Sequence, residues 1–185
     1  MGTKVITEIL RAKFPHLFEA RALEGDKEPK FSITALIDKS DTKTLDRVHA
    51  AIDFEINKRW GAKASLVKIH SPLHDGDGLK PSSQEPYGPD CYGCYVLNAK
   101  STDAPGVVDA NLKPITDPKA ISFNDTFRLS LDISTYEKSG RRGVYVALVN
   151  VQQVAKGGPK PKRTAAEDFG VVESQTENET EDFLQ

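Results

Sequence analysis

Two neighbouring segments near the carboxyl end of the sequence constrain its fold more than any other feature. Residues 123–136 alternate strictly between apolar and polar side chains, residues 137–142 have turn-forming character, and residues 143–154 form an apolar return segment. Alternation with period two is typical of a half-buried strand, so the pattern predicts a β-hairpin. The side chains predicted to face a core are Phe127, Leu129, Leu131 and Ile133.

Earlier segments add further strands and one helix. The segments rich in β-branched and apolar residues, which predict strands, are 3–12, 31–37, 92–100 and 106–110. A helix is predicted after the second of these, with an apolar stripe formed by Leu45, Val48, Ile52 and Ile56. Ser40 or Asp41 is expected to cap the start of this helix, and Gly61 is expected to end it.

The order of these segments predicts a small closed sheet. Residues 71–90 are rich in proline and glycine and are expected to form one long loop. Five or more strands with long excursions are best closed into a barrel, because closure removes exposed edges. The predicted fold class is therefore mainly β, an OB-fold-like β-barrel with one α-helix, while the pattern alone leaves a β-sandwich open.

Charge is distributed unevenly along the chain. Residues 1–165 hold all 25 Lys and Arg against 20 Asp and Glu, a net charge of +5, whereas residues 166–185 hold seven acidic residues and no basic one, a net charge of −7. A mildly basic body with an acidic extension indicates a nucleic-acid partner. We predict a folded domain over 1–154, a basic linker over 155–163 and a disordered acidic tail over 164–185.

Several classes of protein are disfavoured by the sequence. The longest apolar run is residues 144–149, far short of the roughly 20 residues of a transmembrane helix, and the first residues lack a signal peptide's apolar region. Two cysteines cannot form a disulfide framework, so we expect a cytoplasmic protein without a membrane partner. Phosphate-cradling glycine motifs are missing, and no cofactor is expected.

Candidate metal sites in the sequence are weak. His70, His74, Cys91 and Cys94 could supply four zinc ligands, but the two cysteines are expected on opposite faces of a strand. A metal-dependent nuclease would need clustered carboxylates, and Asn98 stands where one is expected. We therefore predict no catalytic or metal-binding residue and no enzyme, and keep a nuclease, a zinc-containing interaction module and a protein–protein adaptor as alternatives.

The predicted strands and loops carry both cations and aromatic rings. Gripping an unpaired nucleic-acid strand requires cations that neutralise phosphates and flat rings on which bases stack. The predicted stacking residues are Phe14, Tyr87, Tyr92, Tyr95 and Tyr136. The predicted phosphate-binding residues are Arg11, Lys13, Lys100, Arg128, Lys138, Arg141 and Arg142. We expect these groups to converge on one groove of the barrel.

Several of these segments resemble one known family, the small single-stranded-DNA-binding proteins of tailed bacteriophages. The similar segments are FPHLFEA at 14–20, KFSITALIDKSD at 30–41, DGD at 75–77, YGCYVLNAKS at 92–101, LSLDISTYEKSGRRGVYVALVNVQQV at 129–154 and AAEDFG at 165–170. The resemblance implies an OB-fold that coats single-stranded DNA without sequence preference in phage replication or recombination, inside the infected bacterium. It also implies a tail that contacts phage or host replication proteins through Asp182 and Phe183, and a homo-oligomer stays open.

Overall fold

The computed structural model describes residues 2–22, 27–122 and 124–157, and these form one sheet and one α-helix. The helix, α1, spans Thr42–Trp60. The strands are β1 (Thr3–Ile6), β2 (Leu10–Arg21), β3 (Lys30–Asp38), β4 (Ile69–His70), β5 (Leu73–Asp75), β6 (Cys94–Ser101), β7 (Gly106–Val108), β8 (Thr126–Lys138) and β9 (Arg141–Ala155). The predicted tail and most of the predicted linker lie outside the described residues.

Five of the strands close into a ring in the order β8, β2, β3, β6, β9 and back to β8. Neighbours in this ring are antiparallel except for β6 and β9, which run parallel and share one register pair, Lys100 opposite Ala147. A five-stranded Greek-key barrel of this kind is the OB-fold. The predicted fold class is confirmed, and the sandwich alternative is wrong because the sheet closes on itself.

The predicted hairpin is the longest pairing of the barrel. β8 and β9 pair from Thr126 opposite Ala155 to Lys138 opposite Arg141. β8 begins later than the predicted residue 123 but ends two residues beyond 136, and β9 extends past both predicted ends. Ser139 and Gly140 form the turn, and both have positive φ angles, 51° and 76°. Two consecutive positive φ values give the tight turn whose twist matches that of the flanking strands.

The prediction of one strand over residues 3–12 is wrong, because the chain breaks into β1 and β2 there. Thr7, which is fully buried, lies between them, and its hydroxyl accepts a hydrogen bond from the Leu129 backbone N–H at 2.9 Å. β2 then runs on to Arg21 with a register shift after Lys13. At this shift Phe14 has a φ of 48°, an uncommon conformation for a residue other than glycine.

The predicted helix is confirmed, with Asp41 as its cap. The Asp41 side chain accepts a hydrogen bond from the Thr44 N–H at 3.0 Å, and Gly61 ends the helix with a φ of 51°. Leu45, Val48 and Ile52 are buried and join the apolar core of the barrel. The helix therefore closes one end of the barrel. In the chain it lies between β3 and β6.

The segment predicted as one long loop is partly structured and is fastened to the barrel. β5 pairs with β6, and a short 3-10 turn spans Pro89–Cys91. Lys39 Nζ lies 2.7 Å from both the Asp75 and the Asp77 carboxylates. This segment thus covers part of the outer surface of the sheet at a fixed position.

Among the described residues, no helix has both the length and the apolar character that crossing a membrane requires.

Candidate nucleic-acid interface

The outer face of β2, β3 and β6 carries the candidate site. Along β3, Ile33, Ala35 and Ile37 are buried in the barrel core, so Thr34 and Leu36 between them point outward. Antiparallel register places Asn98 of β6 and Lys13 of β2 on either side of Thr34. The alternation of the sequence therefore builds a polar outer surface over an apolar interior.

A groove of about 560 Å³ lies on this face. Lys13 and Phe14 form one side, Thr34 and Asn98 lie on the floor, and Tyr87 faces them from the covering loop. On the floor, the Thr34 hydroxyl donates a hydrogen bond to Asn98 Oδ1 at 2.8 Å. Small polar side chains on the floor leave room for a ligand backbone or a base to approach the sheet.

The two aromatic rings of the groove differ in their support. Phe14 is 62% exposed, and Lys13 Nζ lies 5.3 Å from the centre of its ring. Tyr87 packs against a small apolar cluster that includes Cys91, and burial raises the pKa of its hydroxyl. Phe14 is thus a solvent-exposed ring at the edge of the groove, while Tyr87 is an uncharged ring on the opposite wall, held in place by the apolar cluster.

Two cations of β2 contact the Pro89–Cys91 turn. Lys13 Nζ lies 2.7 Å from the Asp90 carboxylate, and Arg11 Nη2 donates to the Asp90 backbone oxygen at 3.4 Å and to Cys94 Sγ at 3.5 Å. His74 also lines the groove, and burial lowers its pKa below 6.5, so it is neutral at pH 7. Lys13 and Lys80 therefore both bring positive charge to the groove, and Lys13 lies beside a carboxylate of the protein.

The polar outer face continues along β3 and β6 to an aromatic residue that sequence reasoning missed. Ser32 lies opposite Lys100, one rung or about 7 Å beyond the Thr34–Asn98 pair. Tyr145 on β9 donates its hydroxyl hydrogen to the Lys100 backbone oxygen at 2.6 Å, and Lys30 Nζ lies 5.9 Å from the centre of its ring. The signal for Tyr145 was its place between the buried Val144 and Val146, which turns it outward.

Some of the predicted residues of the β8–β9 hairpin lie on the same face as Tyr145, and others do not. Tyr136 lies opposite Gly143 on the same face as Tyr145, and a Cβ at Gly143 would come within 2.6 Å of the Tyr136 hydroxyl oxygen. Lys138 and Arg141 are paired at the hairpin tip. Arg142 lies on the opposite face and contacts Glu137 at 2.6 Å.

Three other predicted residues lie outside the groove. Tyr95 points inward, packs against the core of the barrel and has Lys39 Nζ 5.4 Å from its ring centre. Arg128 is half-buried on β8, where its Nε donates to the Thr7 backbone oxygen at 3.3 Å. Tyr92 is 56% exposed beside the Pro89–Cys91 turn. The expectation of one groove for all twelve residues is therefore wrong.

A larger cavity, about 730 Å³, lies elsewhere on the protein. Its lining mixes the acidic Glu55, Asp103 and Asp132 with the basic Lys58 and Arg59. Three carboxylates against two cations repel a polyanion at short range. The smaller groove beside Phe14 is therefore the better candidate for a nucleic acid.

The four candidate zinc ligands do not come together as one site in the described part of the chain. Cys91 and Cys94 lie together in an apolar cluster with Leu36 and Val96, which corrects the prediction that they face opposite ways. The cause is the turn at Gly93, whose φ is 70°, between the 3-10 turn and β6. Burial raises the pKa of the Cys91 thiol, and no three His, Cys, Asp or Glu residues of the described chain are placed to hold a metal ion.

Comparison with protein families gives one family over almost the whole chain. Residues 3–184 match the model of the family described as the single-stranded-DNA-binding protein of Enterobacter phage Enc34. A curated relative, putative protein p50 of Acyrthosiphon pisum secondary endosymbiont phage 1, is 27% identical over 154 residues, which are 80% of this chain and 82% of the relative.

Solved structures share the fold. The single-stranded DNA-binding protein of bacteriophage Enc34 in complex with single-stranded DNA has a TM-score of 0.70 at 20% identity, over 84% of this chain and 88% of that one. The single-stranded DNA-binding protein gp2.5 of bacteriophage T7 has a TM-score of 0.60 at 11% identity, over 95% of this chain and 98% of that one. The barrel is thus similar to those of two phage proteins.

Proposed function

The chain belongs to the Enc34 family of phage single-stranded-DNA-binding proteins, and on this premise we propose that it binds single-stranded DNA without sequence preference. The family is described as single-stranded-DNA-binding, and we infer that this chain acts by binding DNA and not as an enzyme. The DNA lies across the outer face of β2, β3 and β6, in the groove beside Phe14, and continues past Lys100 toward Tyr145.

The observation that carries this proposal is the groove itself. It combines an exposed ring, a cation beside that ring, a second ring on the facing wall and a small polar floor. Stacking on aromatic rings is tolerant of sequence, because every base has a flat face, and each stacked base contributes about 1–3 kcal/mol. The outer face of the second and third barrel strands is also the surface that OB-folds use for oligonucleotides.

Single strands are favoured over duplex for a steric reason. Bases in a duplex are paired and stacked on each other, so their faces cannot reach Phe14 or Tyr87 without unpairing. A duplex could contact the protein through its phosphates, but its bases would not stack on the two rings. We therefore expect duplex DNA to bind more weakly than a single strand of the same length.

The test is a fluorescence anisotropy titration of the full chain with labelled oligo-dT and with a duplex of equal length, over a series of salt concentrations. A single strand that contacts Z phosphates should give a slope of log K against log salt of about −0.7Z. Equal affinity for the duplex, or binding that ignores salt, would refute the proposed function.

The acidic residues 166–185 act in this proposal as a competitor for the basic surface of the domain. The segment carries −7 and the remaining chain +5, so attraction between them opposes DNA binding. Asp182 and Phe183 within it are the proposed contacts for replication proteins in the cytoplasm of the infected bacterium.

Deletion of residues 166–185 tests the competition. The shortened chain should bind oligo-dT more tightly and discriminate less against duplex, with the largest gain at low salt. A chain with all seven acidic residues of the segment replaced by their amides, at unchanged length, separates charge from chain length. Unchanged affinity in both variants would leave the segment without a competing role.

A further inference from the structure

A carboxylate contacts one of the cations that line the groove proposed to bind a polyanion. Asp90 contacts Lys13 Nζ at 2.7 Å, and the Lys13 side chain is only 14% exposed while that of Asp90 is 42% exposed. Lys13 is the cation that borders both the floor of the groove and the Phe14 ring. A phosphate that approaches Lys13 therefore meets a negative charge already in place.

Two hydrogen bonds and a buried neighbour hold the backbone that carries Asp90. Cys91, the next residue, is 3% exposed in the small apolar cluster, and its N–H donates to the Gly88 oxygen at 2.9 Å. Arg11 donates to the backbone oxygen of Asp90 itself. With the backbone anchored in this way, the carboxylate can rotate away from Lys13 Nζ but stays close to it.

We propose that Asp90 is a built-in competitor for DNA phosphate and that it sets the affinity of the groove for single strands. This inference rests on the proposed function. In the free protein the carboxylate occupies the position at Lys13 Nζ that a phosphate takes in the complex. Because Asp90 stays beside the bound phosphate, the Lys13–Asp90 pair contributes no net charge, and the groove neutralises one phosphate fewer than its cations suggest.

A purely structural role for Asp90 predicts the opposite result. If Asp90 served only to hold Lys13 in a binding position, its removal would free the lysine side chain to rotate and would weaken DNA binding. The sign of the change in affinity, together with its salt dependence, therefore separates the two roles.

The experiment uses Asp90→Asn in the full chain, titrated with labelled oligo-dT between 0.05 and 1 M salt. The slope of log K against log salt should become steeper by about 0.7, the value for one more neutralised phosphate. If the lines meet near 1 M salt, affinity at 0.1 M rises about five-fold. The matched control is Glu8→Gln, which removes a partly exposed carboxylate paired with Arg47 at 2.9 Å outside the groove, and it should leave the slope unchanged.

A double-mutant comparison assigns the effect to Lys13. In a Lys13→Met background, which keeps the buried stem and removes the charge, Asp90→Asn should steepen the slope by much less than in the wild type. An equal gain in both backgrounds, an unchanged slope, or weaker binding by Asp90→Asn would overturn the inference. Failure of the wild type itself to bind oligo-dT would instead overturn the proposed function, so the two failures are distinguishable.

Discussion

Replacing Phe14 by alanine removes the exposed ring at the lip of the groove and leaves the rest of the strand in place. Phe14 has a positive φ of 48°, and alanine also carries a Cβ, so the backbone preference changes little. The ring is 62% exposed, and substitutions at such surface positions usually change stability by no more than about 0.5 kcal/mol. The loss should therefore fall on binding and not on folding.

The expected size of this loss follows from stacking. One base stacked on an aromatic ring contributes about 1–3 kcal/mol, which corresponds to a decrease in affinity of roughly 5-fold to 150-fold. The assay is anisotropy with labelled oligo-dT at one fixed salt concentration, with urea unfolding of the same samples to verify that stability is retained.

Phe54 provides a matched control on the helix. Its ring is 59% exposed and has Lys58 Nζ 5.9 Å from its centre, nearly the same environment as that of Phe14 with Lys13, but α1 lies outside the groove. Phe54→Ala should leave oligo-dT affinity unchanged. An equal loss in both variants, or full affinity in Phe14→Ala, would refute the assignment of stacking to this lip.

Three further predictions concern the fold that supports the groove. Leu131→Ala, at a fully buried core position, should lower the free energy of unfolding by about 2–5 kcal/mol in urea denaturation. Asp41→Ala, which removes the helix cap, should lower it by about 0.5–2 kcal/mol, and an unchanged urea midpoint would contradict the role of the cap. Lys39 holds the pKa values of Asp75 and Asp77 below their ordinary 3.8, so the stability that these pairs add is present above pH 3.8 and is lost as pH falls through the lowered values. The thermal midpoints of wild type and Lys39→Met should thus differ at pH 6 and converge below pH 3.8, and a constant difference would count against this linkage.

Local signals predicted the elements whose pattern is strong. The alternation of residues 127–133 predicted the inward face of β8. Asp41, one of the two expected caps, precedes the helix, and Gly61 follows it as expected. Such elements are set by near neighbours in the sequence. The break between β1 and β2 was missed because its cause is distant: Thr7 bonds to Leu129, which lies 122 residues further along the chain.

The composition of the groove was predictable in part. Lys13, Phe14 and Tyr87 were predicted as DNA contacts because they are cationic or aromatic residues on a predicted strand or loop. In the structure these three residues line the same groove. The sequence could not show that Tyr95 points inward, since a tyrosine suits either face of a strand. It also could not show that Asp90 meets Lys13, because this contact depends on how the covering segment folds back across 77 residues.

The short parallel pairing between β6 and β9 has a consequence for where the barrel opens locally. In the described chain this joint has one register pair, whereas β3 and β6 share eight and β8 and β9 share thirteen. A barrel opens locally where neighbouring strands share few pairs, so amide hydrogens near Lys100 and Ala147 should exchange with solvent sooner than those of the β8–β9 hairpin. A single strand of DNA that contacts both Lys100 on β6 and Tyr145 on β9 would bridge the two strands. We expect its binding to slow this exchange and to stabilise the barrel against local opening.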